Sequence, residues 1–334
     1  MTSARPEPTA EPLGHFVEGA RRARAAGLAE AIDGRRVPGT VELEGVELLA
    51  DGLALPEGPV ALADGSVLLV EIRRGTLDRV DADGAVETVA FCGGGPNGVA
   101  LGPDGDAWIC NNGRRFPDYE GGRIERVDLA SGECEVAIVA SDRGPLRRPN
   151  DLVFDGAGGL WFTDFGGLGA YDGGPYELGS IHYVEPGAVE STVVFPALHD
   201  PNGIGLSHDG SVLYFSQTVP GRAYRRAITG PGAVEHARDT DPETLLCGLG
   251  GLQMFDGLAV DADDNVCLAT LVSGRITVVA PDGSRMVQLA FPVEFADALP
   301  TNLCFRGGEA LITLGATGRL VRCPWPRTSE LLDG

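Results

Sequence analysis

The sequence predicts an all-β chain, a six-bladed β-propeller with four-stranded antiparallel blades. Three observations carry that prediction. A strand–turn–strand unit opening on an acid or amide recurs six times, a looser hairpin follows each copy, and 49 glycines and 23 prolines accompany a chain that is 43% hydrophobic. Such a composition suits many short strands joined by turns and supplies enough apolar surface for a core.

Taken in order, the segment from Gly14 to Ile32 is Ala-rich and amphipathic, and is expected to form a short helix outside the ring. "TVELEGVELLA", from Thr40 to Ala50, reads as strand ahead of the first repeat. The six units open at Glu57, Asn97, Asn150, Asn202, Asp256 and Asn302. Irregular spacing close to that of propeller blades, without helical periodicity, separates them from helical repeats. Hairpins such as "SIHYVEPGAVESTVVF" and "GRITVVAPDGSRMVQLAF" complete two of the four-stranded units. The sixth unit has only three strands before "PWPRTSELLDG". The segment Thr40–Ala50 is therefore expected to pair into the last blade and leave no open edge. This organisation divides the chain into an extension (1–39), the propeller (40–323) and a tail (324–334).

The net charge of −22, with no basic run, argues against nucleic acid and anionic lipid as partners. All 26 basic residues are arginine, which excludes Schiff-base chemistry and a phosphate-loop lysine. No apolar run is long enough to span a bilayer and "MTSARPEPTAEPLG" lacks the order of a secretory signal, so the expected location is cytoplasmic. The seven cysteines are widely spaced and contain no C-x-x-C pair; buried free thiols are expected, with neither disulfides nor a zinc site.

In a propeller the innermost strands run in one direction along the central channel, so their starts converge on one mouth. Glu57, Asn97, Asn150, Asn202, Asp256 and Asn302 would form a ring of oxygen donors there. Asn and Asp also begin strands for local reasons, by capping turns, but six coincident positions favour a shared ligand. An all-oxygen set selects a hard cation, calcium first and Mg2+ or Mn2+ next, over zinc or copper, with Fe2+ or Zn2+ the remaining possibilities.

The runs "LPEGPV", "RPNDLVFD", "DPNGIGLSHDGSVLYFSQT" and "FDGLAVDADDNVCLAT" resemble the signature segments of the gluconolactonase, regucalcin and luciferin-regenerating-enzyme family (senescence-marker-protein-like). They resemble diisopropylfluorophosphatase more distantly. The likeness spans roughly Leu53 to Arg322 and implies a six-bladed propeller holding one divalent metal through Glu57, Asn150, Asn202 and Asp256. It further implies that Arg148 binds substrate and that Asn97 and Asn112 line the pocket, although a solvated arginine is the plain alternative for Arg148. The implied activity is hydrolysis of a lactone, a small-molecule substrate, with the metal polarising the carbonyl and Asp256 as general base. His199, three residues before Asn202, is the other candidate base, whereas His182 in "SIHYV" reads as a blade residue. No G-x-S-x-G elbow is present for a covalent serine route. Phosphotriester hydrolysis at the same metal, and a non-catalytic propeller that binds a protein or small molecule, are the competing readings.

Overall fold

A computed structural model describes residues 39–114, 118–168, 175–235, 244–296 and 299–333. The expected helix between Gly14 and Ile32 lies outside them.

Six antiparallel sheets are arranged around one axis, each with its first strand innermost. The inner strands are Pro56–Ala61, Pro96–Leu101, Pro149–Phe154, Pro201–Leu206, Phe255–Val260 and Pro300–Arg306. Each packs against the next, and the sixth returns to the first. Second strands such as Val67–Glu71, Leu160–Asp164 and Val266–Thr270 are buried at every residue, because they are covered by neighbouring sheets on both faces. Apolar clusters between blades supply the core, for example Leu68, Val70 and Leu77 of blade one against Val99, Ile109 and Val127 of blade two.

Ring closure is shared between two short N-terminal strands. Glu47–Ala50 pairs antiparallel with Arg319–Pro324 and becomes the fourth strand of blade six, as expected. Thr40–Glu42 departs from the expectation: it runs parallel to Met286–Ala290 and adds a fifth strand to blade five. The cause is the intervening "LEGV", where Gly45 adopts a positive φ of 65° and turns the chain from one blade to the other. The C-terminal segment is docked. Trp325 packs at a tilt against Phe305 with ring centroids 4.9 Å apart, and buried Asp261 accepts hydrogen bonds from Trp325 Nε1 and Thr328 Oγ1. Among the described residues no helix is long and apolar enough to cross a membrane.

A chain shortened to begin at Gly52 loses the fourth strand of blade six and exposes the edge of Arg319–Pro324. It is expected to aggregate or to melt lower by roughly 3 °C or more, equivalent to about 2 kcal/mol or more in a domain of this size. A chain beginning at Arg36 is expected to melt like the full protein. Differential scanning calorimetry of the two compares them directly.

Candidate metal and substrate site at the channel mouth

The site is produced by one irregularity repeated around the ring. In every blade the register between first and second strand slips just after the inner strand begins, as between Pro96 and Val99, Pro149 and Leu152, or Pro201 and Ile204. The slip is a bulge, which re-aims side chains away from the ladder. Glu57, Asn97, Asn150, Asn202 and Asp256 all occupy the second residue of their inner strands. The residue before the strand is also unusual in three blades, because Leu55, Asp200 and Met254 have positive φ values of 63°, 49° and 57°. Strain of this kind costs about 1–3 kcal/mol per residue and persists only where the surroundings enforce it.

The sixth position differs from the sequence expectation. Counted from Pro300, the residue equivalent to Asn202 is Thr301, and Asn302 lies one step deeper. Its counterpart on the opposite blade is Asp151, and Asn302 Nδ2 lies 3.4 Å from Asp151 Oδ2 across the channel. Asp151 was missed as a site residue, although it stands where four other blades have glycine ("PEG", "PNG", "PNG" and "FDG" against "PND") and the substitution was visible.

The channel floor is crowded with acid. Glu57 is 3% exposed, and burial, then the charges of Asp256 and Asp151, push its carboxyl well above the usual range. The Gly58 amide donates to Glu57 Oε2 at 2.7 Å, which offsets only part of this. Burial raises Asp151 to about 7 and likewise Asp256 to about 7, with Asp151 adding to the latter. Among the described residues, no arginine or histidine is a principal influence on these three acids. Asn202 Nδ2 donates to Asp256 Oδ1 at 2.7 Å and to Thr218 Oγ1 at 3.0 Å, so its amide oxygen is the end left for another partner. Asn150 is buried and its Oδ1 has no hydrogen-bond partner. An orphaned buried acceptor beside uncompensated carboxylates is the donor pattern that a hard cation satisfies. Beyond this layer the channel continues as a cavity of about 250 Å³ lined by Asp151, Asn302, Ile204 and Leu258.

Hydroxyls from one blade fix the site residues of the next. Thr163 Oγ1 donates to the Asn202 carbonyl at 2.6 Å, Ser216 Oγ to the Asp256 carbonyl at 2.8 Å, and Thr301 Oγ1 to the Pro56 carbonyl at 2.9 Å. Thr163 and Ser216 share one position, the residue before the end of the second strand, where "FTDF" and "FSQT" align.

At the rim, Arg148 is 5% exposed, so the solvated alternative is overturned. Its side chain lies over the Tyr119 ring at 5.2 Å and donates from Nη1 to the Arg114 carbonyl at 2.8 Å. Asp164 holds the Arg148 backbone by accepting its amide at 2.8 Å and that of Arg147 at 2.7 Å. Asn97 and Asn112 are half-buried in blade two; the Asn112 amide donates to the Gly95 carbonyl at 2.9 Å. His199 is exposed, with Nδ1 2.9 Å from the Tyr176 hydroxyl, and is not among the buried group. His182 lies inside blade three between Ser180 and Ser191, a blade residue as expected.

Residues 55–317 match the profile described as the SMP-30/Gluconolactonase/LRE-like region. The chain belongs to that family. Among relatives, "Lactonase drp35" of Staphylococcus haemolyticus (strain JCSC1435) is 29% identical over 245 residues, covering 72% of this chain and 71% of its own. "Lactonase drp35" of Staphylococcus epidermidis (strain ATCC 12228) is 28% identical over 251 residues, covering 74% and 72%. Among solved structures, a gluconolactonase of Xanthomonas campestris superposes with a TM-score of 0.66 at 24% identity, covering 84% of this chain and 89% of that one. A calcium-binding regucalcin of Agrobacterium tumefaciens str. C58 gives 0.68 at 21%, covering 86% and 95%. At these identities the structural likeness establishes the six-bladed fold.

Replacing Thr163 by valine keeps the shape and leaves the Asn202 carbonyl without its interblade donor. The expected loss is about 1–3 kcal/mol of stability, the cost of an unsatisfied buried group. Urea denaturation with an unchanged m-value checks it.

Proposed function

We propose that this chain is a metal-dependent lactone hydrolase whose divalent cation, calcium in the first instance, is held by Glu57, Asn150, Asn202 and Asp256. Family membership and relatives named as lactonases support an enzyme that acts on lactones. The single observation that carries the proposal is the convergence, on one channel mouth, of those four oxygen-bearing side chains from blades one, three, four and five, with Asn150 Oδ1 buried and unpartnered. When bound there, a divalent cation supplies Lewis acidity to the ester carbonyl.

The remaining chemistry belongs to the chain. Of the four, Glu57, Asn150 and Asn202 are buried while Asp256 keeps partial exposure, so Asp256 is the acid that a water in the pocket can reach. Asn202 anchors one oxygen of Asp256, and the other is directed to take the proton of the attacking water, as a general base requires. Breaking the acyl–oxygen bond yields the hydroxy acid, with that proton passing to the alkoxide. Arg148, fixed by Asp164, Tyr119 and the Arg114 carbonyl, is the proposed substrate-orienting group, and Asn97 and Asn112 line the blade-two side. His199 keeps its place as the second candidate base, at the rim. A cytoplasmic setting fits seven free cysteines.

A hydrolysis screen over sugar lactones, aliphatic lactones, aryl esters and phosphotriesters, with and without added calcium, tests the reading. Calcium-dependent turnover of a lactone is expected; phosphotriester turnover alone would reassign the reaction. At saturating metal, Asp256→Asn is expected to lose about a hundredfold or more in kcat, the usual scale for a positioned base, while Asn202→Asp retains partial activity. If Asp256→Asn binds metal and works within about threefold of wild type, the base lies elsewhere. Elemental analysis of the dialysed protein should find one divalent ion per chain in the channel, removed by Glu57→Ala.

A further inference from the structure

Away from the channel, blade two carries a second group of metal-ligating side chains. Cys92 follows the last strand of blade one, Val86–Phe91. Glu125 lies in the third strand of blade two, Arg123–Val127, and Cys134 opens its fourth, Cys134–Ile138. The chain separates them widely, yet one ligand atom from each, two sulfurs and a carboxylate oxygen, lie within 4.8 Å of one another. Cys92 and Glu125 are buried, at 8% and 2% exposure, and Cys134 is half-buried, leaving a route from solvent.

We propose that Cys92, Glu125 and Cys134 form a site for a soft or borderline divalent cation, zinc or cadmium in chemical class, that ties blade one to blade two. Two thiolates and a carboxylate select such an ion over the hard cations favoured by the all-oxygen channel mouth. The carboxylate is already held: Arg123 Nε donates to Glu125 Oε1 at 2.6 Å and Asn111 Nδ2 to Oε2 at 2.9 Å. Arg123 Nη2 also donates to the Cys92 carbonyl at 3.2 Å, fixing the backbone of one sulfur ligand. Partners of this kind orient ligands before a metal arrives.

The charges balance in both states. With both thiols protonated, buried Glu125 and Arg123 neutralise each other, and exposed Glu120, 3.6 Å from Arg123, adds a charge screened by solvent. With both ionised, the group carries a surplus of two negative charges, which a dication cancels. Binding therefore exchanges two thiol protons for one cation, and both sulfurs keep their oxidation state. A water completes a tetrahedral set, since three protein ligands leave one position open. The site also touches the channel's surroundings, because Asn111 Oδ1 accepts the Gly95 amide at 2.8 Å and the Gly113 amide at 3.0 Å, on either side of Asn97 and Asn112.

The test titrates the reduced full chain with Cd2+ in millimolar calcium, so that the channel is occupied, and follows ultraviolet thiolate-to-cadmium absorption and proton release. Saturation at about one ion with about two protons released is expected. The absorption should disappear in Cys134→Ser and in Cys92→Ser and persist in Asp256→Asn. Loss of an outer partner alone commonly weakens a metal site about 10–100-fold, so Glu125→Gln, which removes a direct ligand, is expected to weaken binding at least tenfold. If Cys92→Ser does not fold, half-buried Cys134 carries the test. Absence of the absorption, its persistence in Cys134→Ser, or unchanged affinity in Glu125→Gln overturns the proposal. So does a Cys92–Cys134 disulfide that forms in air while the reduced chain binds no cadmium.

Discussion

Where the inner strand of blade four passes that of blade five, a Cβ placed on Gly203 would stand 2.5 Å from the Leu258 amide nitrogen and 2.8 Å from the Asp256 carbonyl. At Gly98 the same added atom would meet the Asn150 carbonyl and the Asp151 Cα at 2.7 Å. Inner strands this close leave no room for a side chain at the third residue in four blades, where Gly58, Gly98, Gly203 and Gly257 stand, whereas blades three and six, facing each other, carry Asp151 and Asn302 there. The close approach brings second-residue side chains from different blades to one mouth, and it lets Thr163 and Ser216 reach the site carbonyls of the neighbouring blade. Geometry at the site is thus a property of the whole ring. A change in one blade's approach is felt in the next because packed interiors transmit displacement.

The ring pays an electrostatic cost for this arrangement. Glu57, Asp151 and Asp256 are enclosed in one channel, each held above the ordinary carboxylate range by burial. Asn302 and the Gly58 amide relieve them only in part. A well-packed apolar channel of equal volume would avoid the desolvation. A site that bound a cation in the folded state alone would recover it through binding free energy, coupling occupancy to the stability of the ring. The strained residues before three inner strands follow the same logic, with local cost carried by the mutual support of six blades.

The fold was legible because its period is long and its punctuation regular: a polar strand start, a Gly/Asp turn and a second strand return often enough to be counted. Four of the proposed ligands were legible for the same reason, since Glu57, Asn150, Asn202 and Asp256 keep one register. Asn302 was misplaced because residue type suggested one register and the bulge imposed another, with Thr301 in the position that Asn occupies elsewhere. Asp151 was hidden inside a motif that drew attention to its neighbour. Thr40–Glu42 was assigned to the wrong blade because an eleven-residue apolar–polar stretch looks continuous until the turn at Gly45 is seen. The Cys92–Glu125–Cys134 group had no sequence signature: sheet register brings its members together across two blades, whereas metal motifs are recognised by short spacing.

Under the proposed hydrolysis a neutral ring-closed ester enters and an anion leaves, so charge near the mouth acts on the two differently. The overall charge of −22 matters little at the reacting atoms, because fields from exposed groups fade over a screening length of about 8 Å at physiological salt. What remains is local. The acids of the floor oppose a carboxylate wherever the cation does not offset them, and Arg148 attracts it from the side. Arg148 is already satisfied by the Tyr119 ring and the Arg114 carbonyl, so it can orient a polar substituent without holding the product as a naked guanidinium would. Freeing Arg148 from those partners would therefore tighten retention of the hydroxy acid more than it improved capture of the neutral lactone, and turnover would pass from chemistry towards product release.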